Sequence, residues 1–73
     1  METIFVLFLD GHFKGVFTTH RKAMQAVIVD AISKGWNMTD YSFELGTEFF
    51  TYTNSVGDKM LYELMEVTPD ARA

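Results

Sequence analysis

Six consecutive apolar residues, Ile4-Phe5-Val6-Leu7-Phe8-Leu9, run directly into Asp10-Gly11. Successive side chains of a strand point to opposite faces, so a strand with one wet face alternates apolar with polar. This run does not alternate, and both of its faces have to leave water. A chain of 73 residues holds enough helix to cover one face of a sheet. The other face therefore calls for a second copy or a different protein.

Size sharpens that demand. Scaling of surface with mass gives a domain this small a buried fraction of roughly 60% of its unfolded surface. Small cores are commonly reinforced by disulfides, metals or association. Cysteine is absent, which removes disulfides and thiolate zinc sites. Association is the remedy left. Hydrophobic residues make up 48% of the chain, including seven Phe and five Met, which excludes a disordered tail as the whole molecule.

No stretch approaches the roughly 20 apolar residues that span a bilayer. The opening run has no basic leader or cleavage site and reads as a strand rather than a signal peptide. The expected compartment is the cytoplasm, with no membrane partner.

Asp10-Gly11 is a two-residue hairpin signal. An unbroken hairpin around it places Ile4, Val6, Phe8, Phe13 and Phe17 on one face, read as core. The other face then holds Phe5, Leu7, Leu9, Val16 and Lys14. Thr18 or Thr19 is a suitable N-cap for a helix carrying Met24, Val27, Ile28 and Ala31 at core spacing. Lys34-Gly35 is a stop, and Trp36 stands where a Schellman motif places its apolar contact. Asn37 to Asp40 is turn-like. Tyr41, Phe43 and Leu45 alternate with Ser42 and Glu44 as a half-buried strand, and Gly46 reads as a bulge or bend before Thr47–Thr53. A turn over 54–58 leads to a last strand over Lys59–Val67, ended by Pro69.

The expected fold is α+β, an antiparallel sheet with one helix on one face in the order ββαββ, the third strand open to division at Gly46. Residues 1–68 form a single domain, with 69–73 a loose tail. The open face is expected to draw on Phe5, Leu7, Leu9, Phe50, Tyr52, Leu61 and Met65, which are the candidate interface.

The segment FVLFLDGHFKGVFTTHRKAMQAVI resembles the opening of many short, mostly uncharacterised phage proteins. The shared landmarks are Asp10-Gly11, Val16-Phe17, Thr18-Thr19 and Ala23, across about a third of the chain. The resemblance is one of fold pattern and carries no active-site motif. It implies ββαββ and a phage accessory protein acting on a host component in the host cytoplasm.

Charge is unevenly placed. Residues 1–39 carry Lys14, Arg21, Lys22 and Lys34 against Glu2, Asp10 and Asp30, a net of +1, within a chain of net −4. The acidic remainder disfavours nucleic acid, whose unspecific binding depends on neutralising phosphates. Exposed aromatics could stack bases, but such platforms need a basic groove.

Catalytic motifs are missing. There is no cysteine nucleophile, no glycine-rich phosphate loop and no HExxH, and no spacing suggests a metal site. Neither an enzyme nor a cofactor is expected. One cluster does suggest a ligand. Thr18, Thr19, His20, Arg21 and Lys22, with Lys14 on the preceding strand, gather hydroxyls and cations at a helix start, a suitable place for an anion.

The leading expectation is a non-enzymatic protein that binds and inhibits or redirects a host protein, including a defence factor, by surface occlusion. Apolar anchors would hold the target, and Glu44, Glu48, Glu63 and Glu66 would form an acidic rim. A homo-oligomer is expected, a dimer foremost. The alternative is an oligomer that sequesters an anionic small molecule such as a nucleotide at the helix start. A particle assembly protein is a third reading.

Overall fold

A computed structural model describes residues 3–68. The elements are β1 (Ile4–Leu9), β2 (His12–Phe17), α1 (His20–Ser33), β3 (Asn37–Glu44), β4 (Thr47–Thr53) and β5 (Lys59–Val67). The strands form one antiparallel sheet in the order β2-β1-β5-β4-β3. The architecture is α+β with one helix, and the element order is ββαβββ rather than ββαββ. The tail expected over 69–73 lies outside the described residues.

The extra strand comes from Gly46. Leu45 (φ 50°) and Gly46 (φ 79°) both adopt left-handed backbone, the pair of conformations that a tight two-residue hairpin loop requires. The chain therefore reverses there, a tight bend that divides the expected third strand into β3 and β4. Asn37 to Asp40, expected as a turn, is the start of β3, with an irregularity in the pairing between Met38 and Asp40.

Helix α1 is delimited as its sequence indicates. Thr19 Oγ1 accepts a hydrogen bond from the Lys22 amide at 3.1 Å, which satisfies one of the unpaired donors of the first turn. At the other end the Trp36 amide donates to Ala31 O (2.9 Å) and the Gly35 amide to Ile32 O (3.0 Å). These two bonds make a Schellman motif, and Gly35 at φ 77° takes its left-handed position. Trp36 then packs on the core.

The helix buries Ala23, Val27 and Ala31, three small or β-branched residues on one stripe. Their small size leaves room for bulky side chains rising from the sheet: Leu7, Phe50, Tyr52, Met60, Tyr62 and Leu64. Phe5, Leu9, Phe17 and Met24 close the margin of this core. Ile28, expected in the stripe, is exposed.

The hairpin register differs from an unbroken one, and the difference inverts β1. Leu9 pairs with His12 and Phe8 with Phe13, but Leu7 then pairs with Gly15, Val6 with Val16 and Phe5 with Phe17. Lys14 is an extra residue opposite the Leu7–Phe8 step, a β-bulge beside a glycine. Directly paired residues share a face. Phe5, Leu7 and Leu9 consequently point toward α1, as do Phe50 and Tyr52, which pair with Tyr62 and Met60. These five of the seven candidate interface residues are core or core margin. Ile4, Val6, Phe8 and Phe13, expected in the core, lie on the uncovered face.

Candidate interaction surfaces

The uncovered face follows from the pairings. Phe13 and Val16 of β2 lie beside Phe8 and Val6 of β1, and Ile4 completes that strand. Met65, Val67 and Glu63 of β5 pair with Val6, Ile4 and Phe8. Leu61 and Phe49 extend the patch toward β4. Phe13 is 62% exposed, and its ring meets Phe8 edge-on at 6.2 Å and 74°. Beyond Phe49 the face becomes polar, with Thr47, Thr51 and Thr53 on β4 and Asp40, Ser42 and Glu44 on β3. One face is thus divided into an apolar half over β2, β1 and β5 and a threonine-rich, acidic half over β4 and β3. Leu61 and Met65, the two remaining interface candidates, belong to the apolar half.

A second bare surface lies on the helix side. The helix packs over β1 and β2, at one end of the sheet order, while β3 is the far edge and all its residues are exposed. Met38, Tyr41 and Phe43 pair with Tyr52, Phe50 and Glu48, which places them on the face that α1 shelters elsewhere. Leu45 follows them in the hairpin loop. Phe43 is 61% exposed and Leu45 98%. Tyr41, Phe43 and Leu45, expected as the buried side of a strand, form an apolar ladder in solvent. Ile28 and Ile32 of α1 are also exposed.

Leu45 stands out within the ladder. A left-handed conformation places a Cβ in steric conflict with the backbone, and Asn or Gly is the usual occupant. A γ-branched apolar side chain in that conformation, almost wholly in water, satisfies neither backbone preference nor burial.

The helix start is arranged differently from an open anion site. His20 Nε2 lies 2.6 Å from Glu48 Oε2, and Tyr41 Oη donates to Glu48 Oε1 at 3.0 Å. This bond, with burial, holds the Tyr41 phenol above the usual tyrosine range. Phe5 meets the His20 ring edge-on at 5.6 Å. Glu48 therefore brings the protein's own carboxylate to one member, His20, of the cluster expected to bind an anion. Thr19 is used as the cap, while Thr18, Arg21 and Lys22 are exposed. Lys14 is on β2, and its charge acts on Asp30 of the helix, so it stands apart from the Glu48–His20 pair.

The four acids of the expected rim are dispersed. Glu48 is the His20 partner. Glu63 sits on the uncovered face between Phe8 and Phe49. Glu66 pairs with Phe5 on the helix side, and Glu44 closes β3 beside Thr47. They form no continuous rim.

A shallow groove of about 520 Å³ runs along a helix flank between Lys22, Ala26, Val29, Asp30 and Ser33. Its carboxylate is already engaged: Asp30 Oδ2 accepts from the hydroxyl of Tyr62, a fully buried side chain, and from Lys34 Nζ at 3.2 Å. Among the described residues no group of His, Cys, Asp or Glu is placed to hold a metal ion. Among the described residues no helix is long and apolar enough to cross a membrane.

No family model, curated protein or solved structure matches the chain.

Proposed function

We propose that this chain is a non-enzymatic, self-associating interaction protein that occludes the surface of another protein. The β3 ladder carries the reading. Met38, Tyr41, Phe43 and Leu45 expose large apolar side chains along one edge of the molecule, and Leu45 does so from a backbone conformation that disfavours it. Strained residues persist where something other than stability retains them. Residues of this kind serve as anchors when a partner offers a dry pocket.

The resemblance to short phage proteins supports a host protein as the target, bound in the host cytoplasm and thereby inhibited or redirected, a defence factor included. The sequestration of an anionic small molecule has less support, because Glu48 already occupies the neighbourhood of His20.

Affinity capture from a bacterial lysate tests the reading, with wild type and Leu45→Asn compared side by side. Stoichiometric enrichment of one protein by wild type, lost in Leu45→Asn while the variant remains folded, is the expected result. Capture that is indifferent to Leu45→Asn and to Phe43→Asp removes the ladder as the binding surface. A copurifying nucleotide with no protein partner removes the interaction reading itself.

A further inference from the structure

We propose that Asp40 guards the free edge of β3, holding off a second copy of this chain that would otherwise add there strand to strand. The edge lies in the plane of the sheet, beside the apolar ladder. A closed edge leaves the ladder's side chains open to a foreign target, but the guard does not depend on such a target.

The pairing shows which backbone groups this edge presents. Leu45-Gly46 is a two-residue loop closed by Glu44 and Thr47, and such a closing pair exchanges both of its backbone bonds. Bonded and unbonded pairs then alternate along an antiparallel ladder. Ser42 and Asp40 therefore bond inward to Phe49 and Thr51, while Tyr41 and Phe43 turn their amides and carbonyls away from β4. An edge with outward donors and acceptors is a template for another strand.

The Tyr41 amide is not left open. It donates to Asp40 Oδ1 at 2.9 Å, so an incoming carbonyl has to displace a carboxylate before it can take the donor. The pairing is also broken just before Asp40. Met38 pairs with Tyr52 and Asp40 with Thr51, which leaves Thr39 as an extra residue. Thr39 Oγ1 lies 2.9 Å from Thr53 Oγ1, a contact that pins this bulge, and a bulge is itself an obstacle to strand addition. The opposite edge of the sheet uses the same two devices, since β2 carries a bulge and a charge together at Lys14.

Symmetry makes Asp40 act a second time. Two β3 edges related by a two-fold axis at Ser42 match Tyr41 of each copy with Phe43 of the other, a register that uses every outward group. The same register sets Asp40 directly opposite Glu44 of the other copy, twice, in unbonded pairs where side chains stand closest. Like charges directly opposite destabilise a strand pair. Moving the axis to Phe43 or to Tyr41 separates the acids. It also sets an outward residue against the left-handed loop at Leu45 or the bulge at Thr39, and pairing is lost there instead.

Sedimentation over a concentration series, with amide hydrogen exchange read residue by residue, tests the guard. Asp40→Ala removes both obstacles at an exposed position. It should associate at least about tenfold more tightly than wild type, because the freed donor and the lost repulsion each count twice across the axis. Exchange at the Tyr41 and Phe43 amides should slow as it associates. If Asp40→Ala does not fold, Glu44→Lys serves in its place: a cation opposite Asp40 turns repulsion into attraction and should also strengthen association. Association no tighter than wild type in the folded variant overturns the proposal. Tighter association with unchanged exchange at Tyr41 and Phe43 also overturns it, since the contact then lies on a face of the sheet. So does a wild type whose Phe43 amide is already protected in proportion to concentration. None of these results touches capture of a foreign protein by the ladder, which the lysate comparison decides separately.

Discussion

His20 Nε2 and Glu48 Oε2 are 2.6 Å apart, so a residue of the expected anion site holds a residue of the expected acidic rim. The contact joins the first turn of α1 to β4, two elements that otherwise meet little. The pair is partly exposed, and the interaction is of modest size. His20→Ala should lower stability by about 0.5–1 kcal/mol, measured by denaturant titration. Because Glu48 already supplies negative charge there, inorganic phosphate should raise the melting temperature no more for wild type than for Arg21→Ala. A phosphate-dependent rise that Arg21→Ala and Lys22→Ala abolish would reinstate the anion site.

Tyr62 and Asp30 tie the helix to the centre of the sheet and make stability depend on pH at the acid end. The Tyr62 hydroxyl and, with it, Lys34 hold the Asp30 carboxyl below its usual value of 3.8. A folded-state value below the unfolded one means that the unfolded chain binds the proton more readily. The contribution is complete above the unfolded value and is lost as pH falls through the folded one. Tyr62→Phe should cost about 1.5–2 kcal/mol near neutrality, the scale of a hydrogen bond to a charged group. It should also flatten the stability loss below about pH 4. Equilibrium unfolding of wild type and variant across pH 2.5–7 measures both effects, and parallel acid limbs would count against the coupling.

Local chemistry was legible and sheet register was not. Thr19, Gly35 and Trp36 act as their types and spacing indicate because a cap is decided within a few residues. The Asp10-Gly11 turn forms for the same reason. The face of β1 was misread because Lys14-Gly15 hides a bulge: one extra residue exchanges the two faces of a strand, and with both faces apolar nothing in the pattern reveals the exchange. Phe50 and Tyr52 were misplaced along with it. Gly46 marks where the third strand divides, but Leu45 is a poor turn residue and leaves bulge and reversal undistinguished, and the half-buried alternation of Tyr41 and Phe43 assumes a helix overhead. Coverage depends on where α1 lies across five strands, which no local pattern encodes. The positive signals were there: Gly15 after Lys14, and Gly46 midway between two β-prone runs.

Gly35 isolates the backbone part of helix termination. A Cβ at this position would meet nothing within 4 Å, so crowding is absent and φ 77° is the whole difficulty. Gly35→Ala should therefore destabilise by about 1 kcal/mol, with Gly35→Asn milder because Asn tolerates the left-handed region. Thermal unfolding of the two variants gives the comparison. Equal stability of Ala and wild type would mean that the Trp36 and Gly35 bonds to Ala31 and Ile32 re-form in another geometry.

Leu45 reverses the usual direction of a substitution. It lies at φ 50° and is 98% exposed, so replacing it removes no buried contact and relieves backbone strain. Leu45→Asn should stabilise the isolated protein by about 0.5–1 kcal/mol. For a domain of this size that raises the melting temperature by roughly 2–8 °C. The same substitution should weaken binding to the target, because the anchor is lost. Gain of stability with loss of binding separates a retained functional residue from a neutral surface one. Calorimetry on Leu45→Asn and Leu45→Gly reads the first half. An unchanged or lowered melting temperature in both would show that the hairpin loop is already at ease with leucine, and would take away the argument that Leu45 is held there for a partner.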